Sequence, residues 1–247
     1  GTIIQKLKTI MNAAFERELH SNTDFKKRRF KKPTEKIDNI YLSLDELKNF
    51  QEADLSSIHI LITKSGVRLD NEKIERARDL FLISAYTGLR VGDFNRLSKE
   101  NFSVRDSVEF LTISTKKTGK KVSIPLHPVV KVILEKRDGH PPQKLPEQHI
   151  NYAIKKIAEK AEIDNVEKKT ITKAGKQVTN DYKKFELVTN HTGRRSFCTN
   201  AYLSGMPTID VMAISGHSSE RVFYDYIKAN HLQKAQKIAE HPFFKGS

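Results

Sequence analysis

The 247-residue sequence predicts a mainly α-helical fold with a small antiparallel β-sheet, an α+β class, on three observations. Apolar residues recur at three- and four-residue steps through most of the chain, as they do along amphipathic helices. One stretch, "VEFLTISTKKTGKKVSIPL" (108–126), instead alternates apolar and polar residues on either side of a Thr-Gly-Lys turn, as a hairpin does. From residue 189 onward the helical spacing returns and continues to the end. A chain of this length can bury a sizeable core, as one large domain or as one domain and a piece of another.

Residues 2–18 place Ile3, Leu7, Ile10, Met11 and Phe15 on one helical face, which needs something to pack on. The chain begins in the middle of this pattern without Met, as an excised piece would, so part of that partner is expected upstream. The Lys/Arg-rich "NTDFKKRRFKKPTEKID" then reads as an extended linker, and a domain boundary is placed near residue 36. A solvated charge run and a segment tracking a phosphate backbone explain it equally well. In "YLSLDELKNFQEADL", Ser43 is an N-cap with Glu46 three residues later, a capping box. The helix "NEKIERARDLFLISAYTG" aligns Ile74, Ala77, Leu80, Phe81 and Ser84, with Gly88 suited to the left-handed position past its end. The chain turns there and restarts at "LRVGDFNRLSKENF".

In the hairpin, Leu111, Ile113 and Thr115 share one parity and Val122, Ile124 and Leu126 another. Lys117 continues the parity of Thr115, so it should project from the core-facing side at the tip, with Lys116, Lys120 and Lys121 elsewhere. After the helix "PEQHINYAIKKIAEKAEI", the polar "TKAGKQVTND" reads as a short second hairpin or a loop. Four helical segments follow, "HTGRRSFCTNAYLSG", "TIDVMAIS", "SSERVFYDYIKAN" and "LQKAQKIAEH", the third with Ser219 at its cap.

Lys and Arg total 44 against 30 acidic residues, a net +14. That balance favours a polyanionic partner, nucleic acid first, because each phosphate neutralised releases condensed counterions. The single Cys198 cannot form an intrachain disulfide, which points to a reducing compartment, and reads as a small apolar filler rather than a nucleophile. No apolar run approaches the ~20 residues of a membrane span. A soluble, cytoplasmic, nucleoid-associated protein is expected.

Four short stretches could carry chemistry. In "HTGRR", His191 and Arg194 share a helix face and could grip one anion, whereas Arg195 points about a hundred degrees away, toward solvent, an acidic neighbour or DNA backbone. In "TGLRVGD", Arg90 follows a helix end, with Asp93 three residues on to orient it. Lys117 sits at the hairpin tip. In "ISGHSSERVFYDYIK", His217 occupies a turn and Tyr226 lies nine residues on, with Tyr224 roughly 200 degrees round the helix from it. Each stretch alone fits a bland role as surface pair, solvated lysine or core tyrosine.

In this order and spacing, "TGLRVGD", "TKKTGKKVSIPL", "HTGRRSF" and "ISGHSSERVFYDYI" resemble the catalytic motifs of the tyrosine recombinases of the lambda-integrase type, over about residues 41–240. The finer likeness is to integrases of mobile elements. The resemblance implies that residues 1–36 are the end of a core-binding domain plus linker and that 37–247 form the catalytic domain. It implies that Tyr226 attacks a phosphodiester to give a 3′-phosphotyrosine, that Arg90 and Arg194 hold the non-bridging oxygens, and that Lys117 protonates the departing 5′-oxygen. His191 would assist the tyrosine or bind the phosphate, His217 would bond a non-bridging oxygen, and Asp93 would brace the active-site arginine. No metal, other cofactor or ATP is implied. The implied partners are double-stranded DNA, three further copies in a tetramer on paired sites, and accessory DNA-bending or directionality factors. Gly193 departs from the family, which commonly has a larger apolar residue there. A type IB topoisomerase and a non-catalytic DNA-binding module are the rival readings.

Overall fold

The structure, a computed structural model, describes residues 2–30, 40–58, 60–63, 65–173 and 176–245. The boundary expected near residue 36 lies outside the described residues. The chain divides into two units, residues 1–38 with 168–180, and residues 39–167 with 181–247. In the first, helix α1 (Thr2–Glu16) leads to a single helical turn at Asp24–Lys26. Phe25 of that turn is buried edge-on to Phe15 and His20, with ring centroids 6.3 and 5.8 Å away. Ile3, Leu7 and Ile10 of α1 stay exposed.

The second unit is built around one buried helix. Its entry helix, α2 (Leu44–Glu52), carries the expected capping box: Ser43 N–H donates to Glu46 Oε2 at 2.7 Å, and Glu46 N–H donates to Ser43 Oγ at 3.2 Å. Two three-residue strands that the sequence reading did not foresee, β1 (Ile60–Ile62) and β2 (Arg68–Asp70), pair antiparallel before α3 (Asn71–Thr87). In the second half of α3, Leu80, Phe81, Leu82 and Ile83 are all buried, so this part of the helix is enclosed on every side by other elements. Gly88 ends it at φ +69, and a Cβ there would lie 2.5 Å from the Phe197 ring, so both the backbone and the space demand glycine. The short α4 (Val91–Phe94) starts immediately beyond.

The sheet has three strands rather than two: β3 (Phe102–Arg105), β4 (Val108–Ser114) and β5 (Lys121–Pro125), antiparallel in that order. Asp106 and Ser107, both at positive φ, make the β3–β4 turn. Leu111 pairs with Ile124 and Ile113 with Val122, which puts the two apolar parities on one buried face. Helices α5 (Pro128–Glu135) and α6 (Glu147–Lys160) follow and pack on α3. Strands β6 (Val166–Lys173) and β7 (Lys176–Lys183) pair as a two-stranded sheet, and residues 168–180 belong to the first unit.

After α7 (Lys184–Leu187), helix α8 (Asn190–Leu203) lies along α3. It is tied to the entry segment by Leu42 N–H donating to Ser196 Oγ at 2.8 Å and Asn200 Nδ2 donating to Leu42 O at 3.0 Å. A Cβ at Gly193 would come within 3.0 Å of Ser84 Oγ and 3.3 Å of the Phe81 ring. The glycine therefore lets α8 pack tightly on α3 at this point. Gly193→Leu is expected to destabilise the chain by about 3 kcal/mol in urea unfolding, because the overpacked side chain must push the helices apart. An unchanged midpoint would show that α8 can retreat. The remaining helices are α9 (Thr208–Ser215), α10 (Glu220–Tyr226), α11 (His231–Ala239) and α12 (Pro242–Lys245).

Candidate active site

Four elements of the second unit end at one cleft of about 460 Å³. Arg90 enters from the turn after α3, where it is the N-cap residue of α4. His191 comes from the first turn of α8. His217 follows the left-handed Gly216 that stops α9, and Tyr226 is the last residue of α10. Lys116 and Lys117 close the cleft from the β4–β5 tip, and Asp93 and Glu147 complete its lining. Arg194 lies beside it, 2% exposed, with Nη1 donating to Gly88 O at 2.6 Å, Nη2 to His217 Nε2 at 3.3 Å, and Nε buried without a partner. Five of the six residues singled out by sequence thus line one cleft, and the sixth touches His217.

Buried Phe223 anchors α10, and Tyr226, one turn on, meets His217 with ring centroids 4.6 Å apart. The Arg194 guanidinium carbon is 5.7 Å from the Tyr226 ring centre. Tyr224 is 48% exposed and stays outside the cleft lining.

Three local expectations change. Strand alternation does not separate Lys116 from Lys117, because β4 ends at Ser114 and the chain turns over Thr115–Lys120, with Gly119 N–H donating to Thr115 O at 2.9 Å and Thr115 N–H to Lys120 O at 2.8 Å. The Asp93 carboxylate does not hydrogen-bond the Arg90 guanidinium. It is buried and accepts from Lys116 N–H at 2.8 Å and from Arg96 Nη2 at 3.2 Å, so it holds the hairpin tip against α4. Arg195 does not stand free in solvent: the residue is only partly exposed, and its guanidinium carbon lies 5.9 Å from the Tyr226 ring centre. Helical angle alone missed it, since a long side chain can reach back to a neighbour that the next helices bring close.

The positive charges here lower one another's proton affinity. His217 is pushed down to about 4, by burial first and then by Arg194 and Arg90. His191 is lowered by burial, Arg195 and Arg194, against a smaller pull from Glu147. Burial raises the Cys198 thiol to about 11, leaving it an inert filler as its position in the sequence suggested. A neutral His217 in the fold means that the unfolded chain binds more protons between pH ~6.5 and 4. Its contribution is therefore intact above pH ~6.5 and is lost as the pH falls toward 4, by up to about 3 kcal/mol. Replacing His217 by Asn should flatten this part of the stability-against-pH curve, read by urea unfolding at pH 4.5 and 7. An equal loss in both proteins would contradict the buried neutral state.

A cleft with two arginines, two lysines, and a buried guanidinium N–H still unmet suits an oxyanion with several oxygens. Among the described residues there is no group of three His, Cys, Asp or Glu placed to hold a metal ion, and no helix long and apolar enough to cross a membrane.

The three-stranded sheet edging a helical core, with its cationic cleft, is the catalytic-domain fold of the tyrosine recombinases. The chain belongs to the phage integrase family, whose family model matches residues 64–233. No curated protein matches the sequence. Among solved structures, lambda integrase bound to a COC′ core site shares the fold with a TM-score of 0.61 and 16% identity, over 91% of this chain and 71% of that one. The Tn1549 transposon integrase in complex with circular intermediate DNA gives 0.58 and 15%, over 97% and 78%. The XerH site-specific recombinase in a post-cleavage complex gives 0.51 and 17%, over 81% of this chain and 52% of that one. The chain thus spans about half the length of XerH.

Proposed function

We propose that the chain is the catalytic part of a site-specific DNA recombinase that cuts and rejoins strands through a 3′-phosphotyrosine at Tyr226. The observation that carries this reading is the meeting of Tyr226, Arg90, Arg194, His217 and the hairpin lysines at one cleft. The Tyr226 oxygen attacks phosphorus as the bond to the 5′-oxygen breaks. Arg90 and Arg194 stabilise the charge that accumulates on the non-bridging oxygens, the latter with its unmet Nε–H. His191 takes up the tyrosine proton, which its lowered affinity permits only transiently. Lys117 gives a proton to the leaving 5′-oxygen, and Lys116, tethered through its backbone to Asp93, adds positive charge at the same spot. Energy kept in the phosphotyrosine lets a 5′-hydroxyl of another strand attack, so neither ATP nor a metal enters the scheme.

The substrate in this reading is double-stranded DNA, attracted by the net +14. Full exchange would use a homotetramer on paired sites, with accessory bending or directionality factors. A lambda integrase tetramer bound to a Holliday junction is a precedent on the same fold. Residues 1–36 would then be the end of a core-binding domain and its linker, and the mobile-element integrases are the nearest functional analogy.

The test is covalent capture in EDTA on nicked duplexes taken from the DNA that flanks the coding region. An SDS-stable protein–DNA band, with DNA mapped to Tyr226, is expected. Salt-sensitive binding with no adduct would make the chain a binding module on this fold, and relaxation of plasmid lacking any such sequence would make it a topoisomerase.

A further inference from the structure

Ser215 is the last residue of α9, 2% exposed, and its Oγ lies 2.7 Å from His217 Nδ1. Nothing in the sequence marks it. Hydrogen-bond roles around it follow from the chemistry of its neighbours. A guanidinium has only donors, so Arg194 Nη2 must donate to His217 Nε2, and Nε2 must carry the lone pair. In a neutral imidazole the proton is then on Nδ1 and points at Ser215 Oγ. The Ser215 Oγ is thus the acceptor for the His217 Nδ1 proton. Donation therefore runs one way, from Arg194 through His217 to Ser215.

We propose that Ser215 is a positioning residue for strand cleavage, which accepts the His217 Nδ1 proton and so keeps Nε2 aimed at Arg194 and the cleft. This rests on reading the cleft as a phosphodiester site. The other groups facing His217 are the cations Arg194 and Arg90, the rings of Tyr226 and Phe223, and, across the cleft, His191, Lys116, Lys117, Glu147 and Asp93. A phosphate oxygen arriving at Nε2 needs a donor there. The phosphate charge favours uptake of one proton at Nε2, giving an imidazolium whose other N–H is already met by Ser215. No rotation of the ring is needed: Nδ1–H stays met by Ser215, and the Arg194 Nη2–H that had donated to Nε2 turns to the phosphate. The hydroxyl thus serves both protonation states of one ring in one orientation.

The experiment compares the 247-residue chain with its Ser215→Ala and Ser215→Thr variants. Nitrogen-15 histidine spectra of the free proteins at pH 7 report which ring nitrogen of His217 holds the proton, independently of activity. The Nδ1–H form is expected in the parent, a mixed or Nε2–H population in Ser215→Ala as the unanchored ring turns away from Arg194, and return of the Nδ1–H form in Ser215→Thr. Single-turnover cleavage of the nicked flanking duplex should fall about tenfold in Ser215→Ala with duplex affinity unchanged, the cost of one unmet neutral hydrogen bond. An unaltered tautomer together with unaltered cleavage in Ser215→Ala would overturn the role given to Ser215. His217→Ala separates the two ideas: if it cleaves at the parent rate, the reading of the cleft fails, whereas a slow His217→Ala beside a fast Ser215→Ala removes only this inference.

Discussion

Tyr226→Phe is expected to abolish the covalent protein–DNA adduct, a loss of about 10⁴-fold or more, while Tyr224→Phe keeps it. The substitution removes one oxygen and leaves the ring, so the edge-on contact with His217 survives and folding should change little. What is lost is the only atom of that side chain able to attack phosphorus. Tyr224 provides the control from the same helix. It packs against Phe223 and is 48% exposed, outside the cleft, so its hydroxyl cannot substitute. Gel-shift affinity for the nicked duplex should be the same in all three proteins, because phosphate contacts by Arg and Lys carry the binding. An adduct formed by Tyr226→Phe would place the nucleophile elsewhere.

The helical framework was legible in the sequence wherever a local rule governs. Ser43 and Glu46 fall three apart and close a capping box, and Gly88 ends α3 in the left-handed region. The strands that went unread are those without a local rule. The edge strand β3 is four residues long with a mostly exposed side, and its turn uses Asp106-Ser107 where Asn-Gly or Asp-Gly would have announced two left-handed residues. At the site, Arg90, Lys117, His191, Arg194, His217 and Tyr226 are singled out through the resemblance of their motifs to a family, and the fold brings five of them to one cleft with Arg194 beside it. The contacts that position them could not be found this way. Asp93 braces the Lys116 backbone from 23 positions away, and Ser215 matters only because Gly216 folds His217 back over it. Such contacts are set by how helices pack, which no local pattern encodes.

Arg194 gives the second large effect, and here function and stability should part. The guanidinium is buried, and among the described residues no carboxylate pairs with it; burial and nearby Arg90 both weaken its hold on its proton. Keeping such a charge out of water costs several kcal/mol, which its bonds to Gly88 O and His217 offset only in part. A phosphate would supply the missing counter-charge and the partner that Nε lacks. Arg194→Met is therefore expected to lower single-turnover cleavage by roughly 10³-fold, the scale of losing a preorganised oxyanion donor. In urea unfolding without DNA the same variant should be at least as stable as the parent, since an apolar chain of similar length fills the site at the cost of two orphaned acceptors, Gly88 O and His217 Nε2, about 1 kcal/mol each. Arg194→Lys should be nearly as inactive as Arg194→Met, because a single ammonium cannot span Gly88 O, His217 and a phosphate oxygen as the planar fork does. Should Arg194→Met instead unfold more easily by about 3 kcal/mol, a loss on the scale of breaking a paired buried charge, Arg194 would be a structural strut. The unmet Nε–H would then be no sign of an absent anion.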